Sequence, residues 1–498
     1  MRLEQGNTNR IIYLVFDLII YCIQDIEPKK INTHTMNTIK VNSPFDGSLI
    51  KEIPLLNSQQ VEEKIANAYA LFQDKSRWLK PYERIAILEK TKAIMQTRVE
   101  ELTKIAAAEG GKPYQDSKVE VLRAINGVQL AIEHIGQMKG EQIPMGTTAA
   151  SINRWGFTMR EPIGVVLSIS AFNHPLNLAV HQIIPAFAVG CPVLIKPATS
   201  TPMSAIELVN MMKEAGLPAD WAEVVVCDRT NAENLVKDER VNYLSFIGSA
   251  EVGWSLRSKL AAGTRCALEH GGSAPVIVES DANMEETIPA LAKGGFYHAG
   301  QVCVSVQRVF VQEKVVDQFC DQLVQIAKKL KVGDPLDPQT EVGPLIETYE
   351  VDRVDQWVKE AVADGAKLLC GGKKISDTCY EPTVLLNACQ TSKVSQLEVF
   401  GPVICVYSYQ DMQEAIDLSN SLPLAFQSAV FTSDIDKALN AVNQFNAATV
   451  TVNDHTAFRV DWMPFGGRDA SGIGVGGIPY SMHEMTREKL MVIKSSKI

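Results

Sequence analysis

The stretch YHAGQVCVSVQRVFV (residues 297–311) sets Cys303 between a glycine-containing bend and an alternating apolar run. An ionised thiol in such a turn is a strong nucleophile. A buried thiol is only a small hydrophobe. Val304, Val306 and Arg308 alternate with Ser305 and Gln307, which predicts a mostly buried strand beginning directly after Cys303. Other chemistry-bearing residues stand where apolar runs end. LSISAFNHPLN carries Asn173, whose amide can donate to an oxyanion or serve as a turn or helix cap. VLIKPAT carries Lys196, suited to a ribose or phosphate, or a plain surface lysine. FIGSAEVG brings Gly248 and Ser249 to a strand-to-helix turn, where backbone N–H groups attract phosphate and a serine also caps the helix. CALEHGGSAPVIV sets Glu269 beside two glycines, as a general base or a solvent-facing turn residue. LEVFGPV offers Glu398 and Phe400, as a ribose acceptor with an aromatic shelf or as a turn with one core aromatic.

One formal G-x-G-x-x-G match, Gly472, Gly474 and Gly477 in SGIGVGG, has no apolar strand before it and no periodic helix after it. It reads as a flexible loop, because the strand–turn–helix context is what gives that motif its meaning.

These residues need elements to hold them. From 58 to 117 the apolar spacing (Val61, Ile65, Ala68, Leu71; Ile85, Leu88, Ile94) is helical, and a further helix is expected over 118–138. MGTTAASINRWGFTMREP reads as a hairpin near Met145 to Met159. Strands and helices then alternate: GVVLSIS, the helix LNLAVHQIIPAFAVG despite Pro185, CPVLIKPA, a helix closed by Gly216, WAEVVVCD, and VNYLSFIGS with a helix after it. The same alternation resumes after residue 311. It predicts an α/β class with parallel sheets, covered on both faces by helices and binding ligands at the carboxyl ends of the strands.

With 498 residues the chain is too long for one ordinary core. A net charge of −10 and the lack of a basic run argue against nucleic acid or an acidic membrane as the main partner. None of the ten cysteines forms a C-x-x-C pair, and several lie in apolar runs, which suits reduced thiols in the cytoplasm. The eight histidines show no H-x-x-x-H or H-E-x-x-H spacing, so no metal is expected. The apolar run at residues 11–23 is short for a membrane span and is interrupted by Asp17. Residues 1–35 are expected to be an extension, with the domain opening at Met36.

Taken in order, AFNHPLN, LIKPA, FIGSAEVG, LEHGG, GQVC, EVFGPV and MPFGG resemble the NAD(P)-dependent aldehyde dehydrogenases, from about Pro44 to the end. The look is that of the branch acting on lactaldehyde, phosphorylated glyceraldehyde and phosphonoacetaldehyde. The resemblance implies a Rossmann-like cofactor domain (36–138 and 160–268) and a catalytic domain (269–460). It also implies a small β oligomerisation element (139–159 and 461–498) and a homodimer or homotetramer whose C-terminal strand extends a neighbour's sheet. It implies Cys303 as nucleophile, Asn173 with the Cys303 N–H as oxyanion donors, and Glu269 as the base that hydrolyses a thioester. Lys196, Thr199, Gly248, Ser249, Glu398 and Phe400 would contact NAD or NADP, and Arg459 and His174 would contact a small aldehyde.

Three departures sharpen this. Thr199 stands where many NAD-preferring members carry a glutamate, so NADP should be admitted. EHGGS replaces the usual ELGGK, and an imidazolium at His270 near Glu269 would favour the ionised carboxylate. Arg459 matches a substrate arginine of the phosphorylated-glyceraldehyde members, yet Val302 stands where those carry a second arginine, so a phosphate clamp is incomplete. A structural salt bridge is the alternative for Arg459. A CoA-acylating relative would commonly lack the base that Glu269 matches, and a non-catalytic scaffold would have no use for Cys303, Asn173 and Glu269 together.

Overall fold

The computed structural model describes residues 38–498, so the expected extension over 1–35 lies outside the described residues. VVLSI and VLIK have no polar alternation, and both become central strands buried on their two faces, as a sheet covered by helices requires. The first sheet has six strands in the order Gly472–Ile473, Arg265–Glu269, Val241–Ile247, Val165–Ile169, Val193–Lys196 and Ala222–Val224. All neighbours are parallel except the first pair. The strand order reverses between Val165–Ile169 and Val241–Ile247. The carboxyl ends of these two strands therefore flank a crevice. The helix Pro175–Val189 packs behind them, buried at every residue, with Pro185 inside it as the sequence suggests.

The second sheet has seven strands, in the order Lys367–Cys370, Thr383–Leu386, Val403–Tyr409, Arg308–Gln312, Val276–Val278, Gln427–Phe431 and Thr449–Val452. Only the first pair is antiparallel. A third, small antiparallel sheet joins Gln142–Ile143, Arg154–Pro162 and Thr486–Lys494.

Four local expectations are corrected. The strand after Cys303 begins only at Arg308. Val302 and Val304 instead pack into a small cluster with Phe426 and Phe465, which gives the alternating apolar residues a core without a ladder. The glycine-rich SGIGVGG is not simply a loop: Gly472 and Ile473 pair antiparallel with Glu269 and Leu268. The hairpin's first strand, Gln142–Ile143, lies ahead of Met145. The helix expected over 118–138 starts and stops earlier, at Tyr114–Ile135.

Candidate active site

The loop that carries Cys303 is fixed by backbone geometry before any side chain is considered. His298 and Ala299 adopt left-handed φ values of 49° and 53°, and Gly300 follows at 70°. A Cβ on Gly300 would stand 2.1 Å from the Gly401 carbonyl oxygen, so only glycine lets the chain pass there. The Gln301 side chain then ties the bend down. Its amide nitrogen donates to the carbonyls of Pro344 (3.1 Å) and His298 (3.3 Å), and its oxygen accepts from Ile346 N–H at 2.9 Å. Gly272 N–H donates to the Cys303 carbonyl at 3.2 Å, while the Cys303 N–H has no hydrogen-bond partner among the described residues. Burial pushes the thiol up to about 12, with Glu398 and Glu269 adding to the shift and Arg459 opposing it.

Asn173 follows the strand Val165–Ile169 and does not cap the next helix; His174 holds that position. Its Nδ2 donates to the Gln301 carbonyl at 2.9 Å, which leaves one amide hydrogen free. The backbone of Asn173 is anchored from below. Lys112 Nζ donates to its carbonyl at 3.1 Å and pairs with Glu120. Glu120 in turn accepts from the N–H groups of Leu176 and Asn177, both at 2.9 Å, at the start of the helix. Both members of that pair are 1% exposed, so loss of one would strand a buried charge.

Glu269 ends its strand inside the cavity, where burial raises its carboxyl above the usual range and Arg459 opposes the shift. His270 does not help it. The imidazole turns the other way, its Nδ1 3.0 Å from the Gly248 carbonyl and its ring edge-on to Phe246 and Trp254. Burial lowers its basicity, so it stands neutral and the expected imidazolium beside Glu269 is absent. Just past the end of the strand Arg265–Glu269, the Gly248 carbonyl and the Phe246 and Trp254 rings hold the imidazole there.

One cavity of about 830 Å³ is lined by Asn173, His174, Gly248, Ser249, Glu269, Cys303, Glu398, Phe400 and Arg459 together. Lys196 and Thr199 are outside its lining, although Ala198 between them belongs to it. Lys196 is largely buried, donates to the Pro197 carbonyl at 3.3 Å and is pushed down by burial; Thr199 is exposed. Ser249 stands at the N-cap of the helix Ala250–Arg257 with no side-chain cap bond, and this helix start, with Ser249, Glu251 and Val252, lines the cavity. Among the described residues Glu398 Oε1 is buried without a partner, and burial pushes the carboxyl up to about 8 against the pull of Arg353. A Cβ on Gly271 would lie 1.9 Å from that oxygen, so the glycine lets the carboxylate lie against the chain. Phe400, at φ 47°, meets Phe172 edge-on at 5.8 Å. An open helix start, an orphaned buried carboxylate and an aromatic wall are what a nucleotide with ribose hydroxyls and phosphates would satisfy.

The other end of the cavity is cationic. Arg459 lies over Phe465, 3.5 Å from the ring centroid, and among the described residues no carboxylate lies within 4.0 Å of it. It is not a salt bridge. Arg123, from the helix Tyr114–Ile135, also lines the cavity but is held bidentately by Asp461 at 2.7 and 3.1 Å. Tyr297 completes this wall beside His174, ring centroids 6.4 Å apart. Arg123, Tyr297 and Asp461 carry no strand-end signal and were not foreseen; only Asp461, two residues after Arg459 in FRVD, had a neighbour that could have pointed to it.

Among the described residues no helix is long and apolar enough to cross a membrane. The model of the aldehyde dehydrogenase family matches residues 31–491. The chain is similar to the 3-sulfolactaldehyde dehydrogenase of Priestia aryabhattai, 37% identical over 461 residues that cover 92% of this chain and 95% of that one. It is also 37% identical, over 473 residues, to the lactaldehyde dehydrogenase of Methanocaldococcus jannaschii, covering 94% and 99%. Among solved structures, aldehyde dehydrogenase 21 from Physcomitrella patens in complex with the reaction product succinate superposes with a TM-score of 0.89 at 35% identity, covering 92% and 95% of the two chains. The glyceraldehyde-3-phosphate dehydrogenase GapN from M. jannaschii complexed with NADP gives 0.88 at 36%, covering 93% and 100%.

Proposed function

The chain belongs to the aldehyde dehydrogenase family, and from that premise we propose that it oxidises a short polar aldehyde to the carboxylate with NAD or NADP. The observation that carries this reading is the meeting of Cys303, Asn173 and Glu269 in one cavity whose other wall suits a nucleotide. Gly248, Ser249 and the uncapped helix start would hold the phosphates, Glu398 would accept ribose hydroxyls, and Phe400 would wall the ring. Lys196 and Thr199 would flank the second ribose. When bound, the cofactor supplies a positively charged ring and accepts the aldehyde hydrogen as hydride.

The rest is the work of the chain's own residues. Cys303 Sγ bonds to the aldehyde carbon as its proton passes to Glu269, which releases it to solvent before the second step. The carbonyl oxygen becomes an oxyanion, which the free amide hydrogen of Asn173 and the Cys303 N–H hold. Once the carbon has lost its hydrogen it is a thioester of Cys303. Glu269 takes a proton from water, the hydroxide oxygen bonds to the thioester carbon, and the C–S bond breaks with return of a proton to sulfur. Burial disfavours the thiolate, so loss of the proton at Sγ needs an acceptor in the same cavity, a place that Glu269 would fill.

His174 is driven well below the usual imidazole range by burial, so it is neutral and suits a hydroxyl. Arg459 suits one negative charge at the far end of the aldehyde. Arg123 is already engaged by Asp461, so a doubly charged phosphate would lack a second free guanidinium. These features favour a hydroxyaldehyde, uncharged or with a singly charged substituent; the relatives named for lactaldehyde and 3-sulfolactaldehyde support the same class. Initial rates of cofactor reduction with lactaldehyde, 3-sulfolactaldehyde, glycolaldehyde, succinic semialdehyde, glyceraldehyde 3-phosphate and an aliphatic aldehyde test it. Preference for the phosphate ester or the plain aliphatic compound would reject the class.

Two further results are expected. Because Glu269 must be ionised to act and its carboxyl is raised, kcat should climb with pH through an apparent pKa above the ordinary glutamate range. A profile from about pH 5 to 9 in which Glu269→Gln keeps the same acid limb would assign that limb elsewhere. Thr199→Glu should raise the KM for NADP at least about tenfold and spare NAD, since a carboxylate repels a 2′-phosphate. Equal KM values in the variant would remove Thr199 from the cofactor site.

The third sheet is proposed as the element that pairs subunits into a dimer or tetramer. Its strand Thr486–Lys494 has one edge on Arg154–Pro162 and the other unpaired among the described residues, and it exposes Leu490, Met491, Val492 and Ile493. Such an edge is a template for another chain's strand or sheet.

A further inference from the structure

Arg459 has a long flexible stem, a flat resting place on Phe465, and an Nε that is buried without a partner among the described residues. Its one directional bond among the described residues runs from Nη2 to His181 Nδ1, at 3.3 Å. A guanidinium only donates, so His181 Nδ1 must present a lone pair and the ring proton must sit on Nε2. That proton has an acceptor: Asp461 Oδ1, 2.8 Å away. Asp461 is itself fixed by Arg123 from the helix Tyr114–Ile135 and by Asn177 Nδ2 at 3.3 Å from the helix Pro175–Val189. His181 is 5% exposed and Asp461 1% exposed, so water does not compete for either.

We propose that His181 is a positioning residue for substrate choice: oriented by Asp461, it holds the Arg459 guanidinium at the spot where the far end of an anionic aldehyde binds. The inference rests on the reading that Arg459 meets that end. His181 touches no reacting atom. It acts by fixing where one positive charge stands, and a guanidinium free to slide along Phe465 would have to be ordered anew by each substrate. The burial that keeps His181 neutral, down at about 4, keeps this tautomer in place across the neutral range; Arg459 and Arg123 add to that effect and Asp461 opposes it.

The test uses two aldehydes of equal length, succinic semialdehyde with a terminal carboxylate and butyraldehyde without one. The readout is the ratio of their kcat/KM values. His181→Leu should lower the ratio about tenfold or more, with the loss in the KM for succinic semialdehyde. Arg459→Met should lower it at least as much, and the double variant no further than Arg459→Met alone, because the two residues act as one unit. His181→Asn, whose side-chain oxygen can stand where Nδ1 stands, should recover most of the ratio. His181→Gln, which keeps a donor toward Asp461, replaces the leucine variant if that one fails to fold. Losses that multiply in the double variant, or a ratio that falls with Arg459→Met but not with His181→Leu, overturn the relay alone. A ratio indifferent to Arg459→Met overturns the assignment of Arg459, and the relay with it.

Discussion

Cys303→Ala is expected to abolish aldehyde oxidation, with kcat/KM at least about four orders of magnitude below the native chain, the scale seen when a covalent nucleophile is removed. The expectation follows from how the loop is built. Gln301, Gly300 and the left-handed residues before them fix the backbone independently of the sulfur, so the variant should keep its fold and its cofactor affinity. No other described cysteine lines the cavity, so none can stand in. Cofactor binding by fluorescence, together with steady-state rates over the aldehyde panel, checks both halves. Retention of more than about one hundredth of the native rate would mean that the chemistry does not pass through this thiol.

Asn173→Ala should cost about 10²- to 10³-fold in kcat, roughly 3–4 kcal/mol, with little change in aldehyde KM. A donor that meets charge only as it develops lowers the barrier without tightening the ground state. Asn173 is 6% exposed and gives one amide hydrogen to Gln301, so its second hydrogen has a fixed direction. The Lys112–Glu120 pair anchors the same turn from the far side and would survive the substitution. Single-turnover kinetics separate the two steps. A loss confined to KM would make Asn173 a binding residue rather than an oxyanion donor.

What could be read from the sequence was local. Lys196 and Glu269 each end a strand of the first sheet and Asn173 lies in the loop after another, and an α/β sheet must bring such ends to one side. What could not be read was long-range. Arg123 sits on a helix whose buried face is set by Val121, Ala124 and Val128, with nothing in the spacing to point it at a cavity. His181 is one of three polar residues, with Asn177 and Gln182, inside a wholly buried helix, where a satisfied core histidine is the natural reading. The late start of the strand at Arg308 had the same origin. Val302 and Val304 found apolar neighbours from residues 426 and 465, far away in the chain. The orientation of His270, one residue past the strand Arg265–Glu269, had the same origin, since the Gly248 carbonyl, Phe246 and Trp254 that turn it come from other segments.

The strand Gly472–Ile473 beside Glu269 has a consequence for how the molecule is made. The first sheet is laid down by residues 165–269, yet its last member is added some two hundred residues later. Asp461, which binds Arg123 and His181, arrives from the same late segment. A ribosome-bound chain that has not reached this return lacks the strand that edges Glu269, and it lacks Arg459 and Asp461 as well. The same late segment brings Ile478, Met482 and Met485 into the core behind the first sheet and Phe465 against Val302 and Val304, so a stop codon shortly ahead of residue 459 would cost the chain both its site and part of its core.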